Sequence, residues 1–152
     1  MTTAPDFVDV GFYHCTRQPA SAVAVKLAAR AYASGQRLLI VGSAGGLATL
    51  DGALWAADGF LAHGMAGGAD DAEQPILLAG ATEPANGAAL LLLLETGLPA
   101  EFATFSRVLN LFDDGSESHA RARADWKAIG ARDGLQRTYW QQVPGGRWEK
   151  QA

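Results

Sequence analysis

The segment from 117 to 131 concentrates the side chains best suited to recognising a charged partner. Read at 100° per residue, His119, Arg123 and Lys127 recur at i, i+4 and i+8 and share one helix face. Trp126 falls beside them, within about 100° of arc. A guanidinium and an ammonium so placed can bind carboxylates, and an indole can wall an apolar slot. Like charges at this spacing repel by a few tenths of a kcal/mol, so a basic stripe gains from an acidic partner. Spacing alone leaves the alternative open: a core tryptophan beside a solvated basic edge.

Other chemistry is thinner. The turn Gly42-Ser43-Ala44-Gly45-Gly46 follows an apolar run and precedes a helical pattern, where a dinucleotide fold puts its phosphate loop. Its spacing is G-x-x-G-G, not G-x-G-x-x-G, and it lacks the Gly-Lys-Ser/Thr of a P-loop. A nucleotide-binding α/β enzyme using Gly42–Gly46 is therefore the alternative function. His14 and Cys15 adjoin, but neighbours on a strand point to opposite faces, so neither orients the other for nucleophilic attack. His14, His63 and His119 show no short ligand spacing and no cysteine pair assists them, so no metal site and no cofactor are expected. Asp70-Asp71 and Asp113-Asp114 read as solvated loop acids. No catalytic residue is assigned.

These residues need elements to hold them. Val8 to Tyr13 reads as a strand. Pro19 to Ser34 reads as a helix, with Gly35 as its left-handed stop. Arg37 to Gly42 holds four consecutive apolar residues, the signature of a strand covered on both faces. Ser43 can cap a helix carrying Leu47, Leu50 and Leu54 and ending near Trp55. Phe60–Gly64 and Pro75–Leu78 are short strands with a loop over Gly67–Glu73 between them, and Ala88–Leu94 is another buried strand. Pro99 starts a helix with Phe102, Phe105, Leu109 and Phe112 at helical spacing, broken by Asp113, Asp114 and Gly115. Glu117–Ala131 is a further helix, with Ala120, Ala124, Ala128 and Ala131 as the stripe packed on the sheet. Thr138–Gln142 and Arg147–Lys150 form a hairpin around Pro144-Gly145-Gly146. The order predicts an α/β fold: one domain over 1–152, a doubly wound, mostly parallel, Rossmann-like sheet with helices on both faces and a C-terminal β-hairpin.

Composition and charge narrow the function. The chain has 152 residues, 49% apolar and 18% charged, which is one domain with a substantial core. A single cysteine excludes an internal disulfide framework. The N-terminus shows no secretory pattern, and the longest apolar run, Ala88–Leu94, is far too short for a membrane helix, so a cytoplasmic protein without a membrane partner is expected. Net charge is −4, unevenly spread. Residues 1–116 hold 5 basic and 12 acidic groups, a net of −7; residues 117–152 hold 7 basic and 4 acidic groups, a net of +3. An acidic body repels nucleic acid, so DNA contact is expected only indirectly, and the basic end is where an acidic partner fits. Direct single-strand binding by Tyr139, Trp140 and Trp148 as stacking platforms is the weaker third reading.

One ordered series of short motifs runs through Asp9-Val10-Gly11-Phe12-Tyr13-His14, Gly35-Gln36-Arg37-Leu38-Leu39-Ile40 and Leu50-Asp51-Gly52-Ala53-Leu54-Trp55. It continues through Phe60-Leu61-Ala62-His63-Gly64, Gln74-Pro75-Ile76-Leu77-Leu78 and Asn86-Gly87-Ala88. It ends with Arg123-Ala124-Asp125-Trp126-Lys127, Tyr139-Trp140-Gln141-Gln142 and Gly146-Arg147-Trp148. By this series the chain resembles the chi subunit of bacterial DNA polymerase III nearly end to end. The resemblance implies a non-catalytic accessory subunit of the clamp loader. It implies two partners: the acidic, Pro-Phe-ended C-terminal tail of single-stranded DNA-binding protein, and the psi subunit where present. Carried over residue by residue, the tail pocket falls on Trp55, Phe60, Phe112, His119, Arg123, Trp126 and Lys127. Arg123 and Lys127 would pair with carboxylates, and the four aromatics would enclose the terminal phenylalanine. Trp126 stands where the family often has tyrosine, and His119 where it often has lysine. The second change weakens the positive field near pH 7.

Overall fold

The computed structural model describes residues 7–152. The chain opens with β1 (Val8–Cys15), α1 (Ala20–Ala33), β2 (Leu38–Val41), α2 (Ala44–Ala56), β3 (His63–Met65) and β4 (Ile76–Ala79). It continues with β5 (Leu90–Leu94), β6 (Arg107–Asp113), α3 (Glu117–Ile129), β7 (Leu135–Gln142) and β8 (Trp148–Lys150). Short 3-10 turns cover Asp71–Glu73 and Phe102–Thr104. The strands form one sheet in the order β3-β4-β2-β5-β6-β1-β7-β8. Every pairing is parallel except β7 with β8, which closes the expected hairpin. The α/β class, the mostly parallel sheet and the helices on both faces match the sequence reading.

Local chemistry explains the element ends. Pro19, at φ −64°, stands at the N-cap of α1, and Gly35 at φ +75° ends that helix in the left-handed region that favours glycine. The Ser43 hydroxyl accepts from the Gly46 N–H and caps α2. Ser116 does the same for the His119 N–H at the start of α3. β2 and β5 are buried along their whole length, as continuous Leu/Ile/Val runs in a parallel sheet should be.

Two apolar layers flank the sheet. One joins α1 and α2 through Val23, Leu50 and Leu54 to Leu38, Ile40, Leu92 and Leu111. The other joins α3 through Ala122 and Ile129 to Val10, Phe12, Leu91, Val108 and Phe112. α1 and α2 therefore cover one face and α3 the other.

The structure corrects three expectations. Residues 99–112 are not a helix: Phe102 lies in a 3-10 turn, and Arg107–Asp113 is a central strand, parallel to both β1 and β5. Val108 to Phe112 are all buried, because neighbouring layers cover both faces of β6, and an unbroken apolar run can imitate helical spacing. The alanine stripe of α3 faces solvent: Ala120, Ala124, Ala128 and Ala131 are exposed, while Ser118, His119, Ala122 and Ile129 face inward. The strand anticipated at Phe60–Gly64 begins only at His63.

Candidate functional site

α3 lies across β1, β6 and β7 and presents its charged residues along an aromatic seam. Trp126 packs edge-on against Phe12 and Tyr139, with ring centroids 5.3 and 5.7 Å away. Tyr139 lies opposite Phe12 in the β1–β7 register, and their rings are nearly parallel at 6.4 Å. The Arg137 guanidinium covers the indole of Trp126 at 3.9 Å from the ring centroid, and donates to the Trp126 carbonyl. Trp126 is thus half-buried, anchored on three sides by protein.

Beside this anchor Arg123 and Lys127 are exposed, and neither makes an ion pair among the described residues. Arg121, by contrast, is held by Asp125 at 3.2 Å and by the Leu98 carbonyl. His119 turns inward and is only 8% exposed. Its ring stacks on Phe112 and meets His14 at a tilt, with centroids 5.5 and 4.2 Å away. The Gly115 N–H donates to His119 Nδ1 at 3.0 Å, which fixes that nitrogen as unprotonated. Burial, then repulsion from His14 and Arg123, push its pKa below the usual histidine range against the pull of Asp114. His119 therefore adds little positive charge near pH 7, as its replacement of lysine implied, and Arg123 and Lys127 supply the charge of the stripe. Burial raises the Tyr139 pKa while Arg123 opposes the rise, so its hydroxyl stays protonated and can donate a hydrogen bond. Arg137 and Tyr139, both on β7, were not singled out for this site. Tyr139 is read from the sequence only as a stacking platform of the tail hairpin, and no spacing in the sequence ties Arg137 to α3.

The remaining predicted residues lie elsewhere. Phe112 is 0% exposed inside β6 and belongs to the core. Trp55 and Phe60 are 61% and 70% exposed and lie 6.4 Å apart at the β3 edge, where Trp55 also meets His63 at 4.5 Å. His63 is held by Asp51 at 2.9 Å and by the Leu61 carbonyl. Four strand spacings, about 19 Å, separate β3 from β6, and α2 lies on the face opposite α3. The structure thus brings together His119, Arg123, Trp126 and Lys127. It sets Trp55 and Phe60 apart as a second, apolar surface.

The glycine turn lines a cleft of about 1000 Å³ at the carboxyl ends of β2, β4 and β5. Its charged lining is Glu83, Glu95, Glu101 and Arg121. Three carboxylates there repel phosphate, Arg121 is committed to Asp125, and the Ser43 hydroxyl is spent on its own helix. Burial and a hydrogen bond with Asp113 raise the Glu95 pKa, and its backbone takes φ 59°. Cys15 faces the α1–α2 layer while His14 faces Phe112, so the two do not meet. Burial, with Asp113 nearby, pushes the Cys15 thiol up to about 12, far from a nucleophile's range.

Fold and surface together describe an α/β domain with an exposed cationic pair on α3 and, apart from it, an exposed aromatic pair at the β3 edge. The family model described as DNA polymerase III chi subunit, HolC, matches residues 8–136, most of the chain. The chain belongs to that family of polymerase III accessory subunits. A search of curated proteins found no match. Among the described residues, no helix is long and apolar enough to cross a membrane.

Proposed function

We propose that this chi-family chain acts without catalysis of its own, holding the acidic C-terminal tail of single-stranded DNA-binding protein and so linking that protein to the clamp loader. The observation that carries the reading is the pair Arg123 and Lys127: exposed and one helical turn apart, without an acid of their own among the described residues. Trp126 and Tyr139 supply an aromatic floor beside them, and Arg137 adds positive charge. An acidic peptide ending in a phenylalanine carboxylate matches that surface in charge and in apolar character. The site so proposed is the α3–β7 seam. Trp55 and Phe60, on the other face, are left for a second protein partner, with the psi subunit as the candidate the family suggests.

The test is a pull-down with full-length single-stranded DNA-binding protein and with the same protein lacking its last residues. Capture of the intact form alone supports the reading. Equal capture of both forms, or of neither, contradicts it.

A further inference from the structure

The parallel register of β1 and β6 sets the carboxyl end of β1 beside the turn that leads into α3. His14 pairs with Phe112 across the two strands, and the Asp113–Ser116 turn then folds Asp114 back over the end of β1. The first turn of α3 adds His119 from the third side. His14 Nε2 lies 2.7 Å from Asp114 Oδ1, and His119 Nδ1 lies 3.8 Å from the same oxygen. Residues 14, 114 and 119 offer ligand atoms that all lie within 4.8 Å of one another. We propose that His14, Asp114 and His119 form a binding site for one divalent transition-metal cation of the zinc type.

The geometry supports this. Zinc–nitrogen and zinc–oxygen bonds of about 2.0–2.2 Å require ligand atoms about 3.3–3.5 Å apart around a tetrahedron. The two separations from Asp114 Oδ1 bracket that value, and the third pair, His14 with His119, lies within 4.8 Å. His119 Nδ1 is already in the unprotonated tautomer a metal needs, because it accepts from the Gly115 N–H. The ion would have to displace the Gly115 N–H from that lone pair. At His14 the ion replaces the hydrogen shared with Asp114, and the imidazole proton moves to Nδ1.

Burial is graded as an open site requires. Both histidines are 8% exposed, whereas the Asp114 side chain is 63% exposed. The solvent side is thus free for a water as fourth ligand. Two imidazoles and one carboxylate favour zinc, cobalt or nickel over magnesium and calcium, which prefer all-oxygen sets. Asp114 offsets one of the two positive charges. Arg123, which faces His119, opposes binding and limits affinity to the moderate range.

Isothermal titration of tag-free full chain with zinc chloride tests the site. The expected result is one ion per chain with a dissociation constant of about 10 µM or tighter. Asp114→Asn and His119→Gln should each weaken binding at least tenfold with unchanged circular dichroism, while Cys15→Ser and His63→Gln leave it as it was. Cobalt(II) bound to the unmodified chain should show visible bands of a nitrogen–oxygen site, without thiolate charge transfer. Absence of saturable binding, affinity retained in both the Asp114 and His119 variants, or loss with Cys15→Ser would overturn the proposal. The cobalt spectrum needs no variant, so the outcome stands even if a substitution disturbs folding. Peptide binding is not read at any step, so failure here leaves the tail-receptor reading untouched.

Discussion

Arg137 sits face-on over Trp126, its guanidinium carbon 3.9 Å from the indole centroid, and also donates to the Trp126 carbonyl. One side chain of β7 thereby fixes both the ring and the backbone of α3. Gly130 makes this possible: a Cβ there would come within 3.0 Å of the guanidinium. Arg137→Ala removes a cation–π contact and a charge-assisted hydrogen bond, each worth about 1 kcal/mol or more. Urea unfolding should show a loss of roughly 2 kcal/mol, of which Arg137→Lys recovers only part.

Gly97 carries a second packing constraint. It takes φ +72°, and a Cβ at this position would run into the Arg121 side chain. Arg121 is in turn tied to the Leu98 carbonyl and to Asp125, whose other oxygen accepts from the Leu98 N–H. Gly97→Ala should therefore destabilise by about 1–3 kcal/mol through strain and displacement of Arg121. Thermal unfolding checks this.

Cys15 predicts an alkaline limit. Its folded pKa lies near 12, above the ordinary thiol value of 9.0. Between those values the unfolded chain has lost the proton and the folded chain keeps it, so stability falls as pH rises from about 9 toward 12. Cys15→Ala should flatten that part of the stability curve. Native-state reaction with a disulfide reagent near pH 8 should run far slower than for a free cysteine, because little of the thiol ionises and the side chain is buried.

Trp55 and Phe60 separate the two surfaces experimentally. Both side chains are more than half exposed and lie on the face opposite α3. Trp55→Ala with Phe60→Ala should change stability by no more than about 0.5 kcal/mol per site. On the proposed arrangement it also leaves tail-peptide affinity within twofold. Calorimetry checks affinity, and chemical unfolding checks stability.

Much of the fold was legible because buried parallel strands announce themselves. Leu38–Val41 and Leu90–Leu94 are apolar without alternation, and only a sheet covered on both faces explains such runs. The same property hid β6. With neither face solvated, Val108–Phe112 carries no period, and Phe102, Phe105, Leu109 and Phe112 could be strung on a helix. On α3 the alanines misled because a methyl side chain gives little sign of burial, whereas Ala122 and Ile129 hold the true inner face. Arg123 and Lys127 were readable from helical spacing. The meeting of His14 with His119 was not, because it depends on a strand register linking residues about a hundred positions apart.

Tail binding as proposed rests on the exposed cations of α3. Calorimetric titration of the full chain with an acidic peptide ending in Pro-Phe measures it most directly. The account predicts micromolar affinity, about −8 kcal/mol, that weakens with added salt. It predicts a loss of tenfold or more for Arg123→Ala, with folding stability unchanged within about 0.5 kcal/mol. Peptide affinity identical in Arg123→Ala and Lys127→Ala, at low salt and high, would contradict it.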